Sequence, residues 1–102
     1  MENHLVDFDK IAWVESAIGI RHKSFKKDGK TIKLIELSDT YCYKDWCTRG
    51  HISYILEGKF TVKFENHTEI FNTGDIVFIP SGKKHIAMVE KGNRLKMISF
   101  DI

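Results

Sequence analysis

Side chains of the kinds that bind transition metals lie close together near the middle of this 102-residue chain. Asp45, Cys47 and His51 are separated by even numbers of positions. Because successive side chains of an extended strand point to opposite faces, all three share one face, provided that Gly50 introduces no bulge or turn. Thiolate and imidazole together favour Zn²⁺, at about 2.3 Å from sulfur and about 2.0–2.1 Å from nitrogen. Fe²⁺, Ni²⁺ and Cu²⁺ are the alternatives, because imidazole binds all of them.

The elements that must position these residues are predicted to be β-strands. From residue 31 onward the sequence alternates with the period of a strand, and no stretch beyond residue 20 keeps a helical period. Turn residues recur about every 8–12 positions, which favours a sandwich or a closed barrel. The Asp28-Gly29 pair indicates a hairpin between the first two strands. The predicted strands are Arg21–Phe25, Thr31–Leu37, Ile52–Leu56, Lys59–Phe64, His67–Phe71, Asp75–Ile79, His85–Val89 and Leu95–Ile102.

The N-terminal segment has no clear strand period, so residues 1–18 are predicted to form an arm or a short helix. Residues 19–102 then form the β-barrel, and the short length of the chain argues for one domain. Cys42 and Cys47 would lie about 16 Å apart in one extended segment. That is beyond the reach of a disulfide, so both thiols are expected to be reduced.

Charge and hydropathy exclude several classes of partner. The 16 basic and 14 acidic residues are interspersed and leave a formal net charge of +2. Because no basic run alternates with aromatic residues, direct binding to nucleic acid is not expected. No apolar run approaches the roughly 20 residues of a membrane helix, so no membrane contact is expected. The acidic first residues differ from the basic start of a signal peptide, which predicts a cytoplasmic location.

Two segments resemble the motifs of cupin proteins. Residues 74–85, GDIVFIPSGKKH, match the second cupin motif, G-x5-P-x-G-x2-H. The matching positions are Gly74, Pro80, Gly82 and His85. Residues 51–64 resemble the end of the first motif, in which a metal-binding Glu lies three residues before the aromatic of a Tyr-Val-Leu-Glu-Gly segment. The resemblance covers roughly residues 20–100 and implies an all-β cupin fold. This fold is a double-stranded β-helix, or jelly-roll barrel, here with a short N-terminal arm.

The resemblance also implies a set of metal ligands inside the barrel. His85 ends the second motif, and His51 stands where the first motif has its Glu. Cys47 and Asp45 stand where common cupins have a His-x-His pair. The segment DWCTRGHISYILEG resembles the DHCW-motif cupins, with Asp45 in the place of that group's His. If water takes the fourth position instead of Asp45, an open Lewis-acid site results.

Three functions remain open at this point. The first is a metalloprotein or metal-dependent enzyme that binds or converts a small molecule, and whether it is an enzyme is left undecided. The second is a non-catalytic ligand-binding or regulatory module that acts with a partner protein. The third is a metal-free interaction or storage barrel, in which His51 and His85 are structural and Cys47 is a small buried residue.

Cavity lining and oligomeric state are further expectations. If the apolar residues of one face point inward, they form a small pocket with its polar groups at the metal end. These residues are Phe60, Val62, Ile76, Phe78 and Met88. A homodimer is expected, because exposed edge strands need covering and small cupins often pair through sheet edges and the N-terminal arm.

Overall fold

A computed structural model describes residues 4–41 and 45–102, and nearly all of its regular structure is β. One turn of 3-10 helix, Phe8–Lys10, precedes nine strands. The strands are β1 (Val14–Ala17), β2 (Ile20–Lys27), β3 (Lys30–Ser38), β4 (His51–Gly58), β5 (Phe60–Phe64), β6 (Thr68–Phe71), β7 (Ile76–Ile79), β8 (His85–Met88) and β9 (Arg94–Asp101). No helix within the described ranges is long and apolar enough to cross a membrane.

The strands form two antiparallel sheets that enclose one core. The larger sheet has the order β1-β2-β3-β9-β4-β7, and the smaller has the order β6-β5-β8. Phe60 and Val62 of the smaller sheet pack with Ile55, Val77 and Leu95 of the larger one, and all five are almost fully buried. This is the predicted jelly-roll barrel, and the all-β prediction is confirmed.

The strands that alternation predicted are all present, with ends that differ by one or two residues. The hairpin at Asp28-Gly29 is also confirmed. Lys27 pairs with Lys30, and both turn residues have positive φ, 53° and 73°. Two such residues make the tight turn whose twist matches that of the flanking strands.

The N-terminal segment contains both kinds of structure that the sequence left open. Its single 3-10 turn begins after Asp7, whose carboxylate accepts a hydrogen bond from the backbone N–H of Asp9 at 3.1 Å. The chain then continues as β1, which pairs with β2 through Val14 and His22. The division at residue 18 remains a prediction.

The expected cavity lining is only partly right. Phe60 and Val62 face inward, but Ile76 and Phe78 are 68% and 64% exposed and Met88 is 44% exposed. Their neighbours turn inward instead: Val77 and Ile79 of β7, and Ala87 of β8. The strand β7 is apolar on both faces, so its alternation could not indicate the buried side. The face is decided by pairing, because Val77 and Ile79 lie opposite the inward-facing Ser53 and His51.

Candidate metal and ligand site

Two imidazoles from opposite sheets meet inside the barrel. His51 begins β4 of the larger sheet, and His85 begins β8 of the smaller. Their Nε2 atoms are 3.3 Å apart, with the rings inclined at 64°. Two nitrogens bound at about 2.0–2.1 Å to one tetrahedral ion lie roughly 3.3 Å apart. The separation therefore fits a shared metal ion, and it also allows a hydrogen bond between the two nitrogens.

The tautomer of His85 is set by the backbone. Its Nδ1 lies 2.8 Å from the carbonyl oxygen of Lys83. Because a carbonyl oxygen only accepts, the neutral ring carries its proton on Nδ1 and keeps a lone pair on Nε2. The side chain is 3% exposed, so that lone pair points into the barrel and away from solvent. This is the support that a metal-binding imidazole needs.

His51 has a different support, made of hydroxyl groups. Its Nδ1 lies 3.0 Å from Ser53 Oγ, which lies 3.1 Å from Ser99 Oγ. Both serines are buried. A hydroxyl can donate or accept, so the serine pair can satisfy either tautomer of His51. With the proton on Nδ1, the Nε2 lone pair is free for an ion. With the proton on Nε2, the ring donates to His85.

The pKa of His51 is lowered below its usual value of 6.5. Burial is the main cause, followed by the neighbouring His85 and by the positive charge of Arg49, while the carboxylate of Asp101 opposes the shift. Lowering the pKa keeps the ring neutral at pH 7. A neutral imidazole is the form that binds a metal.

Cys47 is paired with His85 through the backbone. Its N–H donates to the carbonyl of His85 at 2.9 Å, and the N–H of His85 donates back at 3.0 Å. Residues paired in this way lie directly opposite one another, with side chains on the same face. The thiol is free, half-buried and part of the same cavity wall as His51 and His85. Cys42 lies outside the described residues.

Asp45 lies apart from this group. It is exposed and is not part of the cavity wall. Within the described ranges, no three side chains of His, Cys, Asp or Glu form a ready-made metal cluster. The structure therefore brings Cys47, His51 and His85 to one cavity, and the four-residue ligand set remains a prediction.

The cavity has a volume of about 240 Å³ and changes in polarity along its length. On the inner face of the larger sheet, the cross-strand row at one end consists of the apolar residues Ile20, Leu37 and Leu95. Toward the other end come Lys33 and Ser99, paired across β3 and β9, and finally Asp101 and His51, paired across β9 and β4. Polar groups are thus concentrated at the histidine end.

Sequence reasoning missed several polar residues of this wall, and also the buried Ser53 that bonds His51. Ser53 and Ser99 are polar residues at inward positions of otherwise apolar strands, and that parity was the available signal. Lys33 has the same parity as Ile35 and Leu37 and faces inward with them. A further wall residue, Arg49, forms an ion pair of 3.1 Å with Asp101.

A larger cleft of about 430 Å³ lies at the far end of the six-stranded sheet. Its wall includes a row of charges with alternating sign, Glu15, Arg21, Glu36, Lys96 and Glu57, at paired positions of five strands. Arg21 bonds Glu36 at 2.7 Å, and Lys96 lies 3.9 Å from the same carboxylate. Because Arg21, Glu36 and Lys96 at the centre of this row compensate one another, the histidine cavity is the better candidate site.

The fold and motifs identify the class of protein. The sequence profile of a family described as the cupin domain matches residues 48–101, more than half of the chain. The chain therefore belongs to the cupin family, and the resemblance of its two motifs is confirmed. Membership of the DHCW-motif subgroup remains a prediction.

Solved structures share the whole fold at low sequence identity. The polyketide cyclase RemF from Streptomyces resistomycificus is 20% identical over 98% of this chain and 79% of that one, with a TM-score of 0.79. An RmlC-like cupin from Shewanella frigidimarina is 18% identical over 98% of this chain and 91% of that one, with a TM-score of 0.76. FeII HppE is 14% identical over 100% of this chain and 62% of its own, with a TM-score of 0.77. Identities this low show the fold alone, and no curated protein matches the chain.

Proposed function

We propose that this cupin holds a divalent metal ion between His51, His85 and Cys47 and uses it to bind or convert a small molecule. The observation that carries the proposal is the 3.3 Å separation of the two Nε2 atoms, each on a ring whose other nitrogen has a partner. Zn²⁺ is the favoured ion, because a thiolate and two imidazoles suit its tetrahedral coordination. Fe²⁺, Ni²⁺ and Cu²⁺ remain alternatives.

The fourth position decides what the ion could do. If Asp45 reaches the ion, the site is closed and structural. If water occupies the position, the ion supplies a Lewis acid that faces the cavity. Asp45 starts from an exposed position outside the cavity wall, which favours the open arrangement.

Elemental analysis of the purified protein tests the proposal. Protein made without chelator or nickel resin is compared with Cys47→Ala, His85→Ala and the control His67→Ala. His67 is exposed, bonds Asn66 and Glu69, stacks on the ring of Phe64 at 5.0 Å between centroids, and is not part of the cavity wall. We expect near-stoichiometric metal in wild type and His67→Ala and little in the other two variants. No metal in the wild type, and none taken up on titration, would contradict the proposal.

The alternative is a cupin that binds a ligand without converting it and acts with a partner protein. It is supported by the charges of the cavity wall, where Arg49 and Asp101 neutralise each other and offer no separate general base. Metal-dependent turnover of any small molecule would exclude this alternative. Bound metal without turnover, together with capture of a small molecule, would favour it. The cytoplasmic location and the lack of direct nucleic-acid binding remain predictions.

A homodimer is part of the proposal. On the outer face of the larger sheet, Ile76 and Phe78 of the edge strand β7 lie beside Tyr54 of β4, and Phe100 of β9 extends the patch. At these exposures, four such side chains present on the order of 400 Å² of apolar surface. That is about half of the roughly 800 Å² that each partner buries in a stable dimer. The patch reaches the free edge of β7. Two copies that meet at this edge around a twofold axis can bury the additional surface that a stable dimer needs.

A further inference from the structure

Lys33 is a cation placed inside a mostly apolar cavity. It lies in the middle of β3, between Ser24 of β2 and Ser99 of β9, on the face that also carries Ile35 and Leu37. Its side chain is half-buried and forms part of the same wall as His51. A half-buried lysine packs its methylene stem against apolar neighbours and leaves its ammonium able to meet an anion.

The described residues offer Lys33 no such partner. Its side-chain ammonium makes no hydrogen bond or ion pair with any residue in the ranges 4–41 and 45–102. The only carboxylate of the cavity wall among them, that of Asp101, is bonded by Arg49 at 3.1 Å. Lys33 and burial together lower the pKa of the neighbouring His22, with burial the larger cause. One positive charge therefore remains uncompensated in the cavity.

We propose that Lys33 anchors an anionic ligand, and that the ligand is a small organic carboxylate with an apolar body. This inference rests on the proposed function, since it names the class of molecule that the cavity binds. The carboxylate would lie beside Lys33 and the hydroxyl of Ser99, toward the histidine end. Its apolar part would contact Phe60 and Met97 of the wall.

Charge and size favour a carboxylate over a phosphate. A phosphate carries close to two negative charges and is usually bound by arginine forks or several backbone N–H groups. Among the described wall residues the one guanidinium, that of Arg49, is already paired, and one ammonium matches one carboxylate. A cavity of about 240 Å³ also limits the ligand to a small ring or a short chain.

Binding of matched acids and amides tests this proposal. Benzoate and hexanoate are titrated against benzamide and hexanamide by chemical-shift perturbation, in wild type, Lys33→Met and the control Lys63→Met. Lys63 is exposed on β5, so its loss removes the same charge without changing the cavity. We expect at least one acid to bind wild type and Lys63→Met about tenfold or more tightly than its amide. In Lys33→Met that preference should be lost. If Lys33→Met does not fold, Lys33→Gln is used in its place.

The titrations are run on metal-free and zinc-loaded protein, which separates the two proposals. Loss of the acid preference in Lys33→Met, with no uptake of zinc, iron, nickel or copper by wild type, would support the anchor and contradict the metal site. Zinc uptake with an acid preference that survives in Lys33→Met would place the carboxylate on the ion and overturn the anchor. Equal binding of acid and amide by wild type, or no binding of either acid, would also overturn it.

Discussion

The larger sheet contributes polar groups to one end of the cavity, whereas the contribution of the smaller sheet to the cavity wall is mainly apolar. The larger sheet contributes His51, Ser99, Lys33 and Asp101 to the wall, and its buried Ser53 bonds His51. The smaller sheet contributes apolar residues such as Phe60, and its polar contribution within the described cavity wall is His85. The smaller sheet therefore forms an apolar cover over the cavity, whereas the larger sheet supplies most of the polar groups of the candidate site.

The two histidines differ in the same way. His85 is held by a backbone carbonyl, which permits one tautomer of the neutral ring. His51 is held by two buried hydroxyl groups, which permit both. A histidine held in one tautomer therefore faces one that can adopt either, and changes to the two supports should have different consequences.

The largest expected effect lies in the apolar cover. Phe60 is 1% exposed and packs in the main core, so Phe60→Ala should lower the free energy of unfolding by about 3–5 kcal/mol. Urea unfolding of metal-free protein measures this loss. Phe71→Ala is the control, because this residue is only partly buried against the same core. A smaller loss in Phe60→Ala than in the control would contradict the central role of Phe60 in the apolar cover.

The next effect concerns the hydroxyl support of His51. Ser53→Ala should weaken metal affinity about 10- to 100-fold, because residues that orient a ligating imidazole typically have effects of this size. Competition with a chromogenic chelator measures the affinity. Ser24→Ala is the control, since Ser24 lies on the same inner row without bonding a histidine. Equal affinities of the two variants would show that the hydroxyl pair does not support the ligand.

The lowered pKa of His51 predicts a pH dependence of stability in metal-free protein. Well above pH 6.5 the ring is neutral in both folded and unfolded chains and adds no dependence. As the pH falls below 6.5, the unfolded chain takes up the proton first, so stability falls, by at most about 1.4 kcal/mol per pH unit for one proton.

Urea unfolding between pH 7.5 and 5 measures that slope. His22 contributes in the same direction because its pKa is also lowered. His51→Asn should therefore have a shallower slope than wild type without becoming flat. Parallel slopes would mean that His51 does not resist protonation in the fold.

The smallest effect on stability is expected on the outer face of the larger sheet. Phe78 is 64% exposed, so Phe78→Lys should change the free energy of unfolding of the monomer by only about 0.5 kcal/mol. It should nevertheless convert a dimer to a monomer in light scattering coupled to size exclusion. Lys63→Met, on an exposed position of β5, is the control. A wild type that is monomeric at all accessible concentrations would contradict the dimer.

Much of the fold was predictable because its signals are local. Alternation over a few residues located the strands, and Asp28-Gly29 located a tight turn, since both depend on neighbouring side chains and backbone angles. The spacing of Gly74, Pro80, Gly82 and His85 identified the second motif in the same way. These features need no knowledge of distant parts of the chain.

The sequence by itself therefore determined the all-β fold, the cupin family and the pair of His51 and His85. Only the tertiary structure decided which face of β7 is buried, because Ile76–Ile79 is apolar on both sides and its pairing with β4 sets the face. Tertiary structure also joined Ser53 to Ser99, 46 positions apart in the chain. It likewise placed Lys33 in the cavity. The sequence could not predict this, because a charged residue in an alternating strand is expected to face solvent until the neighbouring strands are known. Pairing between distant strands brings such groups together, and the local alternation of residues does not predict which strands pair.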